Sequence, residues 1–160
     1  MVVGDFFYNI MRDLKKENID FIVVGGVGRL LHGSDMMTSD IDIVIEKKIK
    51  DCQRLLKFAK NNKYWFRIGN KDFRIKKATD LFPLRYLKLI CKRKRNVLPD
   101  IDIFLGKSYD DITFKDIEYE IIKIGNLQVK VATVVWLIKH KGNRKKDNFG
   151  IKNMKENMKT

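Results

Sequence analysis

The sequence predicts an α/β (α+β) domain: a mixed β-sheet carrying three aspartates, helices packed on one face, and a short helical carboxy-terminal tail. Three observations lead there. Apolar residues recur at both helical and strand periods along 160 residues, a length that suits one domain. A short apolar run, Phe21 to Val24, passes through Gly25-Gly26 into a helical segment from Val27 to His32. The tetrapeptide Asp-Ile-Asp-Ile occurs at 40–43 and again at 100–103, each time opening a β-branched strand.

Each element has its own justification. Phe6, Phe7, Ile10, Met11 and Leu14 share one helical face between Asp5 and Glu17, and Asp5 suits the start of that helix. Gly25-Gly26 makes a turn in which backbone amides approach a ligand closely, and the following helix aims its first N–H groups at it. Gly33 ends that helix. A strand follows from Asp40 to Ile45, then a helix from Ile49 to Asn61 that buries Cys52, Leu55, Leu56 and Ala59. Tyr64 to Ile68 reads as a strand and Gly69-Asn70 as a turn. Residues 71 to 83 carry no clear period, and Pro83 stops any helix there. Leu84 to Cys91 is expected to be a strand with Leu84, Tyr86 and Leu89 alternating imperfectly, and Lys92 to Arg95 a basic loop tip. Pro99 to Leu105 is a strand ended by Gly106, and Asp110 to Phe114 is a loop or short helix. Tyr119 to Ile124 and Leu127 to Val131 form a hairpin on Gly125-Asn126, a pair suited to a type II′ turn. Thr133 caps a helix from Val134 to Lys141, and Arg144 to Met158 forms the polar tail. The whole is one domain over 1–160, its core running from about 19 to 141 and its tail from about 144 to 158.

Composition narrows the function classes. Thirty-four Lys and Arg stand against 20 Asp and Glu, a formal charge of +14, which favours a polyanionic partner with RNA or DNA first. Cys52, Cys91, His32 and His140 lack metal-ligand spacing, so a reduced chain without a zinc site is expected. With no signal-peptide layout and no apolar run near 20 residues, the expectation is a soluble, cytoplasmic protein that does not enter membranes.

The chemistry rests on carboxylates. Side chains at i and i+2 of a strand share a face, so Asp40 and Asp42 project together while Ile41, Ile43 and Ile45 point into a core. Two such carboxylates repel unless a cation or proton lies between them. Asp102 repeats the alternation on a second strand, with Asp100 as the second choice for third ligand beside it. Three carboxylates opposite a phosphate-sized glycine turn are what two-metal phosphoryl or nucleotidyl transfer requires, and magnesium suits an all-oxygen site. His32 reads as structural, Trp65 and Trp136 as core, and Arg67, Arg74 and Arg85 as surface charge.

The order Gly25-Gly26, His32-Gly33, Thr38-Ser39-Asp40-Ile41-Asp42, then Ile101-Asp102-Ile103, resembles the nucleotidyltransferase superfamily of DNA polymerase beta. The segment Leu137-Ile138, Lys141, Arg144, Lys146-Asp147 is similar to the minimal branch that includes the AbiEii/MenT-type toxins. The resemblance spans residues 19 to 155 and implies roles. Asp40, Asp42 and Asp102 would be catalytic and would hold two Mg²⁺ ions, with Mn²⁺ as a substitute, and Asp102 would also be the base. Gly25, Gly26, Thr38, Ser39 and Lys141 would bind the NTP. Arg144 and Asp147 would pair to fix the tail. The chain departs from the pattern at Gly26, where many members have Ser, at Met36-Met37, where related chains often carry Arg, and at Gly150, where an acid is common. The expected reaction moves a nucleoside monophosphate from an NTP to a hydroxyl acceptor, RNA such as tRNA being favoured, with an antitoxin protein as a further partner. The alternatives are transfer to a protein side chain or to a small molecule such as an antibiotic, and an inactive module that binds nucleic acid or a partner.

Overall fold

Among the described residues, eight strands join into one mixed sheet in the computed structural model, which covers 5–34, 40–91 and 99–140. Met36 to Ser39, the cations from Lys92 to Arg95, Lys141, and the tail with Arg144, Asp147 and Gly150 lie outside them. In chain order the elements are α1 (Asp5–Lys16), β1 (Phe21–Val24), α2 (Gly25–Leu31), β2 (Ile41–Ile45), α3 (Ile49–Asn61), β3 (Tyr64–Ile68) and β4 (Lys71–Phe73). Then come β5 (Tyr86–Cys91), β6 (Ile101–Leu105), β7 (Tyr119–Ile124), β8 (Leu127–Ala132) and α4 (Val134–Lys139). The strands lie in the order β4-β3-β5-β6-β2-β1-β8-β7.

The two Asp-Ile-Asp-Ile segments are lateral neighbours. Strands β2 and β6 run parallel with Ile41 opposite Ile101, Asp42 opposite Asp102 and Ile43 opposite Ile103. Period-two alternation fixes this register, because a slip of one residue would drive the carboxylates into the core. The core face takes Val23, Ile41, Ile43, Ile45, Leu87, Leu89, Ile101, Ile103 and Val131, all fully enclosed. Phe7, Ile10, Met11 and Leu14 of α1 cover it, together with Cys52, Leu55, Phe58 and Ala59 of α3 and Val27 and Leu31 of α2. Each Val, Leu, Ile, Phe or Met among them stabilises by about 1.5–3 kcal/mol relative to exposure. The opposite face has a smaller cluster in which Trp136 and Leu137 of α4 lie with Ile22, Val24, Val44 and Ala132. Across β2, β6, β5 and β3 that face carries the polar row Asp42, Asp102, Lys88 and Arg67, flanked by Phe104, Ile90 and Trp65.

Several expectations need correction. Gly25-Gly26 is not a turn ahead of the helix: α2 begins at Gly25 itself, which has φ +62, and ends at Leu31. Strand β2 begins at Ile41, with Asp40 in the bend just before it. In β5 the inward residues are Leu87 and Leu89, so Tyr86 points the other way. Residues 71–73 are strand β4, whose Phe66–Phe73, Arg67–Asp72 and Ile68–Lys71 pairs form a hairpin with β3. Exposed on all three positions, that strand has no burial period to betray it. Trp65 is half exposed rather than core, whereas Trp136 is buried. The β7–β8 turn is as expected: Ile124 pairs with Leu127, Gly125 has φ +58, and Asn126 is not among the positive-φ residues. Thr133 does cap α4, its Oγ1 accepting the Trp136 N–H at 3.2 Å.

Candidate active site

One row of residues crosses the polar face. Val24 on β1 is opposite Asp42 on β2, Asp42 is opposite Asp102 on β6, Asp102 is opposite Lys88 on β5, and Lys88 is opposite Arg67 on β3. Directly opposed residues on neighbouring strands place their Cβ atoms within about 5.5 Å of each other. The sheet therefore gathers two carboxylates and two cations from positions far apart in sequence. Asp40 and Asp100 stand two residues before Asp42 and Asp102 and extend the acidic patch.

The carboxylates divide into two groups. Asp42 and Asp102 hydrogen-bond each other, which needs a proton between them. Burial pushes Asp42 from the usual 3.8 up to about 8, helped by that hydrogen bond and by the charges of Asp102 and Asp40, with Arg29 opposing. On the other side, the Lys88 ammonium lies 3.6 Å from Asp40 Oδ2, 3.6 Å from Asp102 Oδ1 and 4.0 Å from Asp100 Oδ2. Partial burial pulls the Lys88 ammonium down, but Asp102, Asp40 and Asp100 outweigh it and hold its pKa above the ordinary value. Asp100 is raised by burial first and by Asp40 second. The Tyr86 hydroxyl donates to Asp102 Oδ1 at 2.5 Å, and burial followed by that bond raises its own pKa.

Gly25 completes the surround. A Cβ built there would stand 2.0 Å from Asp42 Oδ2, so only glycine lets the start of α2 approach this carboxylate. The cradle and the oxygen-only donors fit a hard divalent cation at Asp42 and Asp102. As they stand, no three His, Cys, Asp or Glu among the described residues are gathered closely enough to hold a metal ion. Asp40 Oδ2 lies 3.6 Å from the Lys88 ammonium, and the Asp40 charge also reaches Asp42. Thus the structure brings Gly25, Gly26, Asp40, Asp42 and Asp102 to one region, while Thr38, Ser39 and Lys141 lie outside the described residues.

Three residues at this site escape sequence reasoning. Lys88 and Tyr86 were hidden because Leu84 to Cys91 gives an imperfect alternation; choosing Leu87 and Leu89 as the inward pair would have exposed them. Arg29 is buried on α2, and its charge reaches Asp42. It supplies positive charge near the carboxylates that Met36-Met37 does not. His32 is structural: its Nε2 is 2.8 Å from the Ala132 carbonyl oxygen, and its Nδ1 is 3.4 Å from Glu120. Arg67 pairs with Asp72 at 3.0 Å and Arg85 with Asp111.

No protein-family model matches the chain, and no curated protein matches it significantly. Solved structures do. Lincomycin-bound LnuA, a lincosamide antibiotic adenylyltransferase, superposes with a TM-score of 0.69 at 14% identity, over 96% of this chain and 97% of that one. The chain has the nucleotidyltransferase fold. An antigenic nucleotidyltransferase-like protein from Paracoccidioides brasiliensis gives a TM-score of 0.58 at 19% identity, over 91% of this chain and 72% of that one. At such identities the likeness is one of fold. Among the described residues no helix is long and apolar enough to cross a membrane.

Proposed function

We propose that the chain is a divalent-metal-dependent nucleotidyltransferase that moves a nucleoside monophosphate from an NTP to a hydroxyl acceptor and releases pyrophosphate. The observation that carries this reading is the in-register contact of Asp42 and Asp102 beside the Gly25 cradle. In this reading Asp42 and Asp102, with Asp40 beside them, hold Mg²⁺ or Mn²⁺. When bound, such an ion polarises phosphoryl oxygens and stabilises the charge of the leaving pyrophosphate. The residues of the chain do the remaining work. The Gly25 and Gly26 backbone receives the triphosphate without obstruction from a side chain, and Arg29 tempers the negative charge at Asp42. Thr38, Ser39 and Lys141 are assigned to the nucleotide by the resemblance alone.

The acceptor favoured by a formal charge of +14 is RNA, with tRNA first and a toxin-like role that would add an antitoxin protein as partner. A small hydroxylated acceptor such as an antibiotic is the second reading. The near full-length likeness to a lincosamide antibiotic adenylyltransferase favours it. The test is incorporation of labelled NTP into total RNA, protein and a panel of hydroxylated small molecules, with Mg²⁺ and with Mn²⁺. Label should enter one of these pools with the wild type and none with Asp42→Asn. Equal behaviour of the two proteins in every pool would remove the enzyme reading, and salt-sensitive RNA retention by both would identify a binding module instead.

A further inference from the structure

Lys88 stands where a carboxylate site ordinarily needs a cation. Its ammonium has three N–H donors, and three aspartates face it at 3.6, 3.6 and 4.0 Å. Strand pairing sets this arrangement, because Lys88 is the direct partner of Asp102 across the β5–β6 ladder. Building on the nucleotidyl-transfer reading, we propose that Lys88 is a permanent second cation of the carboxylate cluster. The site then takes one divalent ion, beside Asp42, rather than the two expected from the sequence.

Asp102 decides the count. Two catalytic ions about 3.5–4 Å apart need carboxylates able to serve both. The Oδ1 atom of Asp102 already accepts the Tyr86 hydroxyl at 2.5 Å and faces Lys88 at 3.6 Å. That leaves Oδ2 for an ion, beside Asp42, the residue directly opposite on β2. A second ion on the Asp40 side would have to displace Lys88 from Asp40, Asp100 and Asp102 together. The ammonium is partly buried under this acidic patch, and its single positive charge offsets part of the negative charge of the three carboxylates.

The experiment counts bound Mn²⁺ on the full chain from the electron paramagnetic resonance signal of the free ion. Wild type should bind one equivalent, Lys88→Arg one, and Lys88→Met two, with circular dichroism verifying that both variants fold. In thermal melts without metal, Lys88→Met should unfold at lower temperature than wild type and gain more from saturating Mn²⁺. Two equivalents on wild type would overturn the assignment, as would a single equivalent on folded Lys88→Met. Should Lys88→Met fail to fold, the wild-type and Lys88→Arg counts decide the matter, one sustaining the assignment and two refuting it. If no variant and no wild-type protein binds Mn²⁺, the nucleotidyl-transfer reading falls with it, an outcome distinct from a count of two.

Discussion

A methyl group at residue 25 has nowhere to go. Its φ of +62 is one that L-residues rarely adopt, and the added carbon would meet Asp42 Oδ2 at 2.0 Å. The backbone alone costs about 1–2 kcal/mol there, and moving Asp42 adds to it. Gly125→Ala has a similar φ of +58 but meets only an ordinary contact, with Tyr8 3.9 Å away. Gly25→Ala should therefore lower stability more than Gly125→Ala in parallel denaturant titrations, and it alone should abolish nucleotidyl transfer. Asp42 supports a second prediction. Its folded-state pKa of about 8 lies above the usual 3.8, so between those values the folded chain holds a proton that the unfolded chain has released. Stability contributed by the protonated group is complete below the lower value and is lost as pH climbs to the upper one. Metal-free protein should melt at progressively lower temperature from pH 5 to pH 8, and Asp42→Asn should flatten that slope. Mn²⁺ affinity should rise over the same range, since the ion replaces the proton. At this scale the sequence was informative about acids and silent about cations. Two copies of Asp-Ile-Asp-Ile announce themselves by alternation, whereas Lys88 and Arg29 are ordinary basic residues until the sheet and α2 bring them to Asp42 and its neighbours.

Elements were legible where burial imposed a period. The Ile49–Asn61 and Tyr64–Ile68 boundaries follow directly from apolar spacing, and the Gly125-Asn126 hairpin follows from turn chemistry. Strand β4 left no such trace because none of its side chains is buried; only pairing with β3 makes it a strand. The start of α2 was misplaced because glycines read as a turn, and here the first glycine has a left-handed φ of +62 yet opens the helix. Two substitutions probe the α2–α4 region. Removing the Thr133 cap with Thr133→Ala should cost about 1 kcal/mol, measured by chemical denaturation. Gly28→Ala should do the reverse: a Cβ there meets Leu137 at an ordinary 3.5 Å. Helix propensity then stabilises the chain by about 0.5–1 kcal/mol.

At the level of the whole molecule, charge and connectivity matter most. With 34 basic against 20 acidic residues, a nucleic-acid acceptor would be held chiefly through its phosphates. If about six phosphates are neutralised, retention of RNA should fall roughly a thousandfold between about 50 and 200 mM salt, a dependence that filter binding measures. A small-molecule acceptor would show no such slope. The parallel β2–β6 pair has another consequence. Asp42 and Asp102 become neighbours only after the chain has left β2, built α3, β3, β4 and β5, and returned. Contacts of such long sequence separation form slowly and late. During synthesis, a ribosome-bound chain possesses the glycine cradle and the first aspartate pair long before residue 102 has emerged. Proteolytic fragments ending ahead of β6 share that deficiency, so the carboxylate arrangement reports whether the chain has been made and folded as far as residue 105.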